Sequence, residues 1–322
     1  CSSGTSNFCT VASDSPNSPR SLDAASPSAS SATELHIFGF VDHAHAAATQ
    51  FLDDAVVRDG LVDHERETQV AMVGMRRRQS QRGRQAGAVF LILWRDRAMP
   101  GYYTKRLAAE RLRACYDLAP PRTKAYLEAE IEFVLAKTTS STLALELGCG
   151  YGRVLERLLP RVRVAFGIDT SPSSLRMALE CLGRKPSLCL ACMDSVQMGF
   201  RDRAFDLTIC VQNGICAFAV DQQQLFREAI RVTRSGGLVM FSSYTPQFWE
   251  HRLEWFEIQS AHHLIGEIDY QATGNGRIVC KDGFRATTAD RSSFEKLAAS
   301  LEVTPRITEV DDSSLFCEFV VP

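Results

Sequence analysis

Lysine and tyrosine are missing altogether from residues 1–98 of this 322-residue chain. An apolar run long enough to cross a bilayer as a helix is missing everywhere; the longest, 88–94, has arginines on both sides. An excess of one charge is missing too: 36 Lys and Arg against 38 Asp and Glu leave a formal net charge of −2. Such a balance offers no electrostatic grip on nucleic acid or an anionic membrane, so the expected partner is a small molecule. The 11 cysteines are odd in number and lack a secreted-scaffold spacing, so reduced thiols and a cytoplasmic location are expected. Cys189 and Cys192 have no second pair at zinc-ligand spacing. Residues three apart on a strand face opposite sides, so no metal is expected.

Residues 1–98 open with a Ser/Ala/Pro/Asp tract and carry the basic run Arg76, Arg77, Arg78, Arg82 and Arg84. They are expected to be a low-complexity or disordered extension that need not be native, contributing nothing to the core, with Met99 as the natural start. From Tyr102 onward the pattern is regular. Thr104 is expected to cap a helix through Leu107, Leu112, Cys115 and Leu118 that Pro120 and Pro121 end. A second helix over 122–137 places Leu127, Ile131 and Val134 on one stripe. Then strands (142–147, 162–168, 187–193, 206–211, 238–241) alternate with helices (153–159, 172–182, 222–232). Near-continuous apolar strands between helices predict a parallel sheet covered on both faces.

The first strand runs into Glu146-Leu147-Gly148-Cys149-Gly150-Tyr151-Gly152, and the second ends in Gly167-Ile168-Asp169. Glycines there let a ligand approach the backbone, and a carboxylate at the next strand end can accept both hydroxyls of a ribose. Dinucleotide sites want Gly-x-Gly-x-x-Gly, but the third position is Arg153 and the extra glycine is Gly152. The run resembles the first motif of class I S-adenosylmethionine-dependent methyltransferases, and the resemblance continues in order over 142–243. Met193-Asp194-Ser195 ends the third strand, Phe205-Asp206-Leu207-Thr208-Ile209-Cys210 looks like the fourth, and Arg234-Ser235-Gly236-Gly237-Leu238 like the turn into the fifth. One departure is Ser235 where the family usually has proline.

The resemblance implies a Rossmann-like doubly wound α/β sheet of seven strands, the last antiparallel, formed by a hairpin of 304–310 and 315–321. It implies an N-terminal helical lid over the cofactor and a helix-hairpin insertion after strand five. The methyltransferase domain would be 99–322, with core 142–243, substrate-side insertion 244–288 and C-terminal helix and hairpin 289–322. The implied cofactor is S-adenosyl-L-methionine, leaving S-adenosyl-L-homocysteine, with Tyr103, Glu146, Gly148, Cys149, Gly150, Asp169, Thr170, Asp194, Ser195, Gln212 and Asn213 as its contacts.

Methyl transfer from a sulfonium needs mainly alignment and, for some acceptors, removal of a proton. His251, Asn213 and Tyr244 are the catalytic candidates; Tyr102, Trp255, Lys281 and Arg285 are the substrate-side ones. In the insertion, Thr245 and Pro246 are expected to start a helix that Gly266 stops, with Trp249, Leu253 and Phe256 as its packed stripe and Trp255 and His251 off it. Segments 266–270 and 277–281 read as a hairpin around Thr273-Gly274-Asn275-Gly276. Asn213 tilts the expectation toward a nitrogen acceptor on a small molecule. The rivals are a non-catalytic S-adenosylmethionine-binding regulatory module and an NAD-dependent oxidoreductase.

Overall fold

The structure, a computed structural model, describes residues 70–71, 91–94 and 101–322, all within one compact unit, Val41–Pro322. The rest of the expected extension, including its arginine run and Met99, lies outside the described residues. Two short strands come from that stretch, β1 (Val70–Ala71) and β2 (Leu91–Trp94). The seven expected strands follow as β3 (Leu143–Leu147), β4 (Val164–Asp169), β5 (Leu188–Cys192), β6 (Phe205–Cys210), β7 (Thr233–Tyr244), and, beyond the short β8 (Ile278–Val279) and β9 (Arg285–Ala286), β10 (Arg306–Val310) and β11 (Ser314–Val320).

The main sheet runs β1-β2-β5-β4-β3-β6-β7-β11-β10. β2 through β7 pair in parallel, while β11 is antiparallel to both β7 and β10. All five residues of β3 are buried, as a strand covered on both faces requires. Strand order reverses beside β3, so a crevice opens at the carboxyl ends of β3 and its neighbours.

The helices are α1 (Tyr102–Lys105), α2 (Glu110–Asp117), α3 (Pro121–Leu135), α4 (Arg153–Leu158), α5 (Pro172–Leu182), α6 (Gly214–Ala217), α7 (Gln222–Val232), α8 (Trp249–Ala261) and α9 (Arg291–Ala299). Ile131, Val134, Leu155, Leu158, Leu175 and Ala178 bring α3, α4 and α5 onto one face of the sheet. Leu225, Phe226, Ala229 and Phe294 bring α7 and α9 onto the other. Caps set the starts: Ser171 accepts the Ser174 N–H at 3.2 Å for α5, and Asp221 accepts the Gln224 N–H at 3.0 Å for α7.

Three local expectations are corrected. The helix expected through Leu107 to Leu118 is broken by Ala109, whose φ of 50° leaves the helical region, and Thr104 sits inside α1 instead of capping. In α8 the buried residues are Arg252, Trp255, Phe256 and Gln259, so Trp255 faces inward while Trp249 and Leu253 are only half-buried. That helix ends before Gly266, where His263 takes φ 56° and the Leu264 N–H returns to Gln259 O. The expected hairpin is present as two bridges, Ile268 with Cys280 and Gly274 with Arg277, the second closing the Asn275-Gly276 turn at φ 51° and 74°. Its second strand also pairs onward, β8 against β9 through Asp282-Gly283, with Gly283 at φ 95°.

Among the described residues no helix is long and apolar enough to cross a membrane. Since the seven later strands close both faces of the core, a chain beginning at Met99 is expected to unfold in one cooperative urea transition. Its midpoint should fall modestly, because β5 loses its parallel partner β2. Insolubility or a multi-step transition would show that the region before Met99 is needed for the core.

Candidate functional site

Parallel register brings the ends of β3 and β4 level, Leu147 opposite Ile168, so Gly148 follows β3 where Asp169 ends β4. Asp169 Oδ2 accepts the Gly150 N–H at 2.9 Å and Oδ1 accepts the Ser171 N–H at 2.8 Å. Gly148, Gly150 and Gly152 take φ of 73°, 54° and 91°, a region where a Cβ is strained. A Cβ on Gly148 would lie 2.3 Å from the Phe218 ring. Burial raises the Asp169 carboxyl above its usual range, opposed by backbone N–H groups of Ser171, Gly150 and Thr170.

Two groups of opposite sign flank the glycine loop. Glu146 is buried and its Oε2 has no hydrogen-bond partner. Burial pushes its carboxyl up to about 8, the Arg153 guanidinium pulling the other way. Arg153 lies 4.7 Å from the Tyr116 ring, its buried Nε and Nη2 unpartnered. Buried polar atoms without partners on both side chains at one loop call for an explanation, and a polar ligand supplies one.

Of the other expected cofactor contacts, Cys149 lies buried in the loop, while Thr170 follows β4 and is bonded through its hydroxyl to Thr104 of α1 at 3.0 Å. Asp194, just past β5, accepts the Val196 N–H at 3.0 Å, and Ser195 beside it is buried. Gln212 and Asn213 follow β6, both left-handed at φ 56° and 60°. Gln212 Oε1 accepts from the Tyr116 hydroxyl at 3.3 Å, leaving Nε2 buried without a partner. The Asn213 amide is engaged at both ends, Nδ2 donating to Thr287 O at 2.9 Å and Oδ1 accepting from Ser243 at 2.8 Å. Tyr103 lies against Phe284 with ring centres 6.1 Å apart, and burial raises its hydroxyl far above the ordinary phenol range.

α1 and α2 cover the loop. Besides the Thr104–Thr170 bond, the Ala109 N–H donates to Ser174 at 3.0 Å. The lid is latched to the insertion by Tyr102 and Arg106 on Asp282 at 2.6 and 2.8 Å, and by Trp255 Nε1 on Cys115 O at 2.8 Å. Trp255 thereby pins α8 to α2 and has no polar atom left for a ligand. Tyr244 is buried, with Arg252 4.6 Å from its ring, and burial holds its hydroxyl protonated well above neutral pH. His251, Lys281 and Arg285 are exposed. His251 faces Glu254 at 3.9 Å and Lys281 pairs with Glu267.

Sequence reading missed Glu130, Arg153 and Arg252. Glu130 lies buried in α3, Oε2 accepting the Gln212 N–H at 2.7 Å and Oε1 the Ser314 hydroxyl. Burial pushes its carboxyl up to about 7. A charge one residue from Ile131 on an apolar stripe was the available sign. Among the described residues no group of His, Cys, Asp and Glu has metal-site geometry.

The family model described as a methyltransferase domain matches residues 145–241. No curated protein matches the chain. Solved structures with a similar fold include the N-methyltransferase NodS from Bradyrhizobium japonicum WM9 with S-adenosyl-L-homocysteine, 18% identical, TM-score 0.45, covering 68% of this chain and 95% of that one. Another is the magnesium protoporphyrin IX methyltransferase from Synechocystis PCC 6803, 14% identical, TM-score 0.47, covering 69% and 97%. A third is the PH0226 protein from Pyrococcus horikoshii OT3, 19% identical, TM-score 0.46, covering 69% and 98%.

Replacing Asp169 by Ala strands the Gly150 and Ser171 N–H groups, and the expected loss of unfolding free energy is about 1–3 kcal/mol. Urea titration measures it, and an unchanged midpoint would mean the loop does not depend on that carboxylate.

Proposed function

We propose that this chain, a member of the class I S-adenosylmethionine-dependent methyltransferase family through residues 145–241, transfers a methyl group to a small-molecule acceptor, with nitrogen the favoured acceptor atom. The observation that carries the reading is the glycine loop with Glu146 and Arg153 beside it, each with buried polar atoms unpartnered. An ammonium suits the Glu146 carboxylate and a carboxylate suits Arg153, the two ends of an amino acid. Asp169 retains lone pairs for ribose hydroxyls beyond the two N–H groups it accepts, and Asp194 with Ser195 stands at the next strand end for a base. The remaining contacts would be Tyr103, Gly148, Cys149, Gly150, Thr170, Gln212 and Asn213.

S-adenosylmethionine, when bound, supplies an electrophilic methyl on a sulfonium. The protein's part is to exclude water and hold the acceptor in line, the main source of rate in such a displacement. The lid and insertion supply the exclusion. Asn213 and Tyr244 stand on the acceptor side, where the high pKa of Tyr244 makes its hydroxyl a hydrogen-bond donor. His251 would serve as a base only by reaching in from the exposed side of α8, and Tyr102, Trp255, Lys281 and Arg285 complete the proposed substrate side. The domain is proposed to span 99–322, in the cytoplasm, with no nucleic-acid partner. Methyl-labelled cofactor incubated with a metabolite extract tests the function. Binding of S-adenosyl-L-homocysteine without any labelled product favours a regulatory module, and binding of NAD alone an oxidoreductase.

Two outcomes are expected in titrations with S-adenosyl-L-homocysteine. Asp169→Ala should weaken binding about tenfold to a hundredfold, the value of one charge-assisted hydrogen bond. Glu146 is largely protonated below about 8 in the free protein, whereas holding an ammonium requires its ionised form. Affinity should therefore rise from pH 6 to about 8 with release of a proton, and Glu146→Gln should flatten that slope. A pH-independent affinity in the unaltered chain would remove Glu146 from the site.

A further inference from the structure

We propose that Arg252 is an anion-binding residue of the acceptor site and that the acceptor carries a carboxylate; this rests on methyl transfer at the same site. Arg252 is 1% exposed, more deeply buried than its residue type tolerates without a partner. Nη1 donates to Gly276 O at 2.7 Å and Nη2 to Thr287 O at 3.3 Å, while Nε is buried and unbonded. Among the described residues no carboxylate pairs with it. Its guanidinium lies 4.6 Å from the Tyr244 ring and 5.6 Å from that of Phe256. Bridging two carbonyls needs only a neutral donor, whereas enclosing a full charge is costly unless an anion joins it. The charge stays on, because a guanidinium does not lose its proton in a protein.

Arg252 is tied to the transfer end of the crevice. Asn213 Nδ2 donates at 2.9 Å to the same Thr287 carbonyl that Arg252 uses. Tyr103, Tyr126 and Tyr244 all lie within the field of its charge, with the Tyr126 hydroxyl set against that of Tyr244. The Arg252 Nε–H is the donor left over on the guanidinium, and a carboxylate oxygen is an acceptor that suits it.

The experiment titrates the full chain, saturated with S-adenosyl-L-homocysteine, with benzoate against benzamide and with acetate against acetamide. Each acid is expected to bind about tenfold or more tighter than its amide, the size of one charge-assisted hydrogen bond. Arg252→Gln should erase that preference while binding of S-adenosyl-L-homocysteine persists, and Arg252→Lys should keep part of it. Equal affinities, no binding of either acid, or a preference that survives Arg252→Gln would overturn the proposal. Failure of the methyl-transfer reading shows separately, as absence of labelled product when the unaltered chain is incubated with methyl-labelled cofactor and a metabolite extract. The acid-against-amide comparison run without S-adenosyl-L-homocysteine still decides the anion site.

Discussion

The bond from the Gly150 N–H to Asp169 Oδ2 joins the loop after one central strand to the end of the next, and the geometry of the crevice hangs on it. Three glycines in left-handed conformations give that loop many alternatives in the unfolded chain. A carboxylate accepting from both Gly150 and Ser171 selects one of them and sets the start of α5 at the same time. The Gly148 and Cys149 N–H groups are held as well, both on Ile168 O at 2.8 and 2.9 Å. The loop is thus fastened along its length before any ligand arrives, which is the condition for fixed donors to act on one.

A second set of constraints comes from beneath the turn after β6. Gln212 and Asn213 are consecutive non-glycine residues in the left-handed region, an arrangement that persists only when its surroundings hold it. Glu130 and Ser242 both accept the Gln212 N–H, at 2.7 and 2.8 Å, and the Asn213 amide is clamped between Ser243 and Thr287. Such buried polar groups stabilise little in net terms, but they make the turn geometrically unique.

The lid and the insertion have no core of their own apart from each other. Leu107, Cys115, Tyr126 and Leu127 pack with Phe248, Trp255, Phe256, Ile268 and Phe284 in one cluster separate from the two faces of the sheet. Covering the crevice and folding the insertion are therefore a single event energetically, with burial of that cluster as the common driving force. Arg252 lies against its edge, its guanidinium near the Phe256 ring, which is how a charge comes to be enclosed at all.

Local chemistry made much of the protein legible from its residues alone. Strand and helix types over 142–243, the glycine loop and the acid at the next strand end follow from apolar spacing, glycine placement and strand ends, so short-range pattern carries them. The closing hairpin was legible for the same reason. Tertiary structure decided what depends on distant partners. It rotated α8 so that Trp255 faces inward, because Cys115 O, 140 residues away in sequence, offers its Nε1–H an acceptor. It added a second pairing to the insertion, β8 with β9, where the Asp282-Gly283 turn and the latch from Tyr102 and Arg106 coincide. It also extended the sheet with Leu91–Trp94, part of the apolar run 88–94, by offering the open edge of β5. Glu130, Arg153 and Arg252 belong with these. A charge on a helix reads as solvated until the fold buries it, and only three-dimensional packing shows that its partner must come from elsewhere.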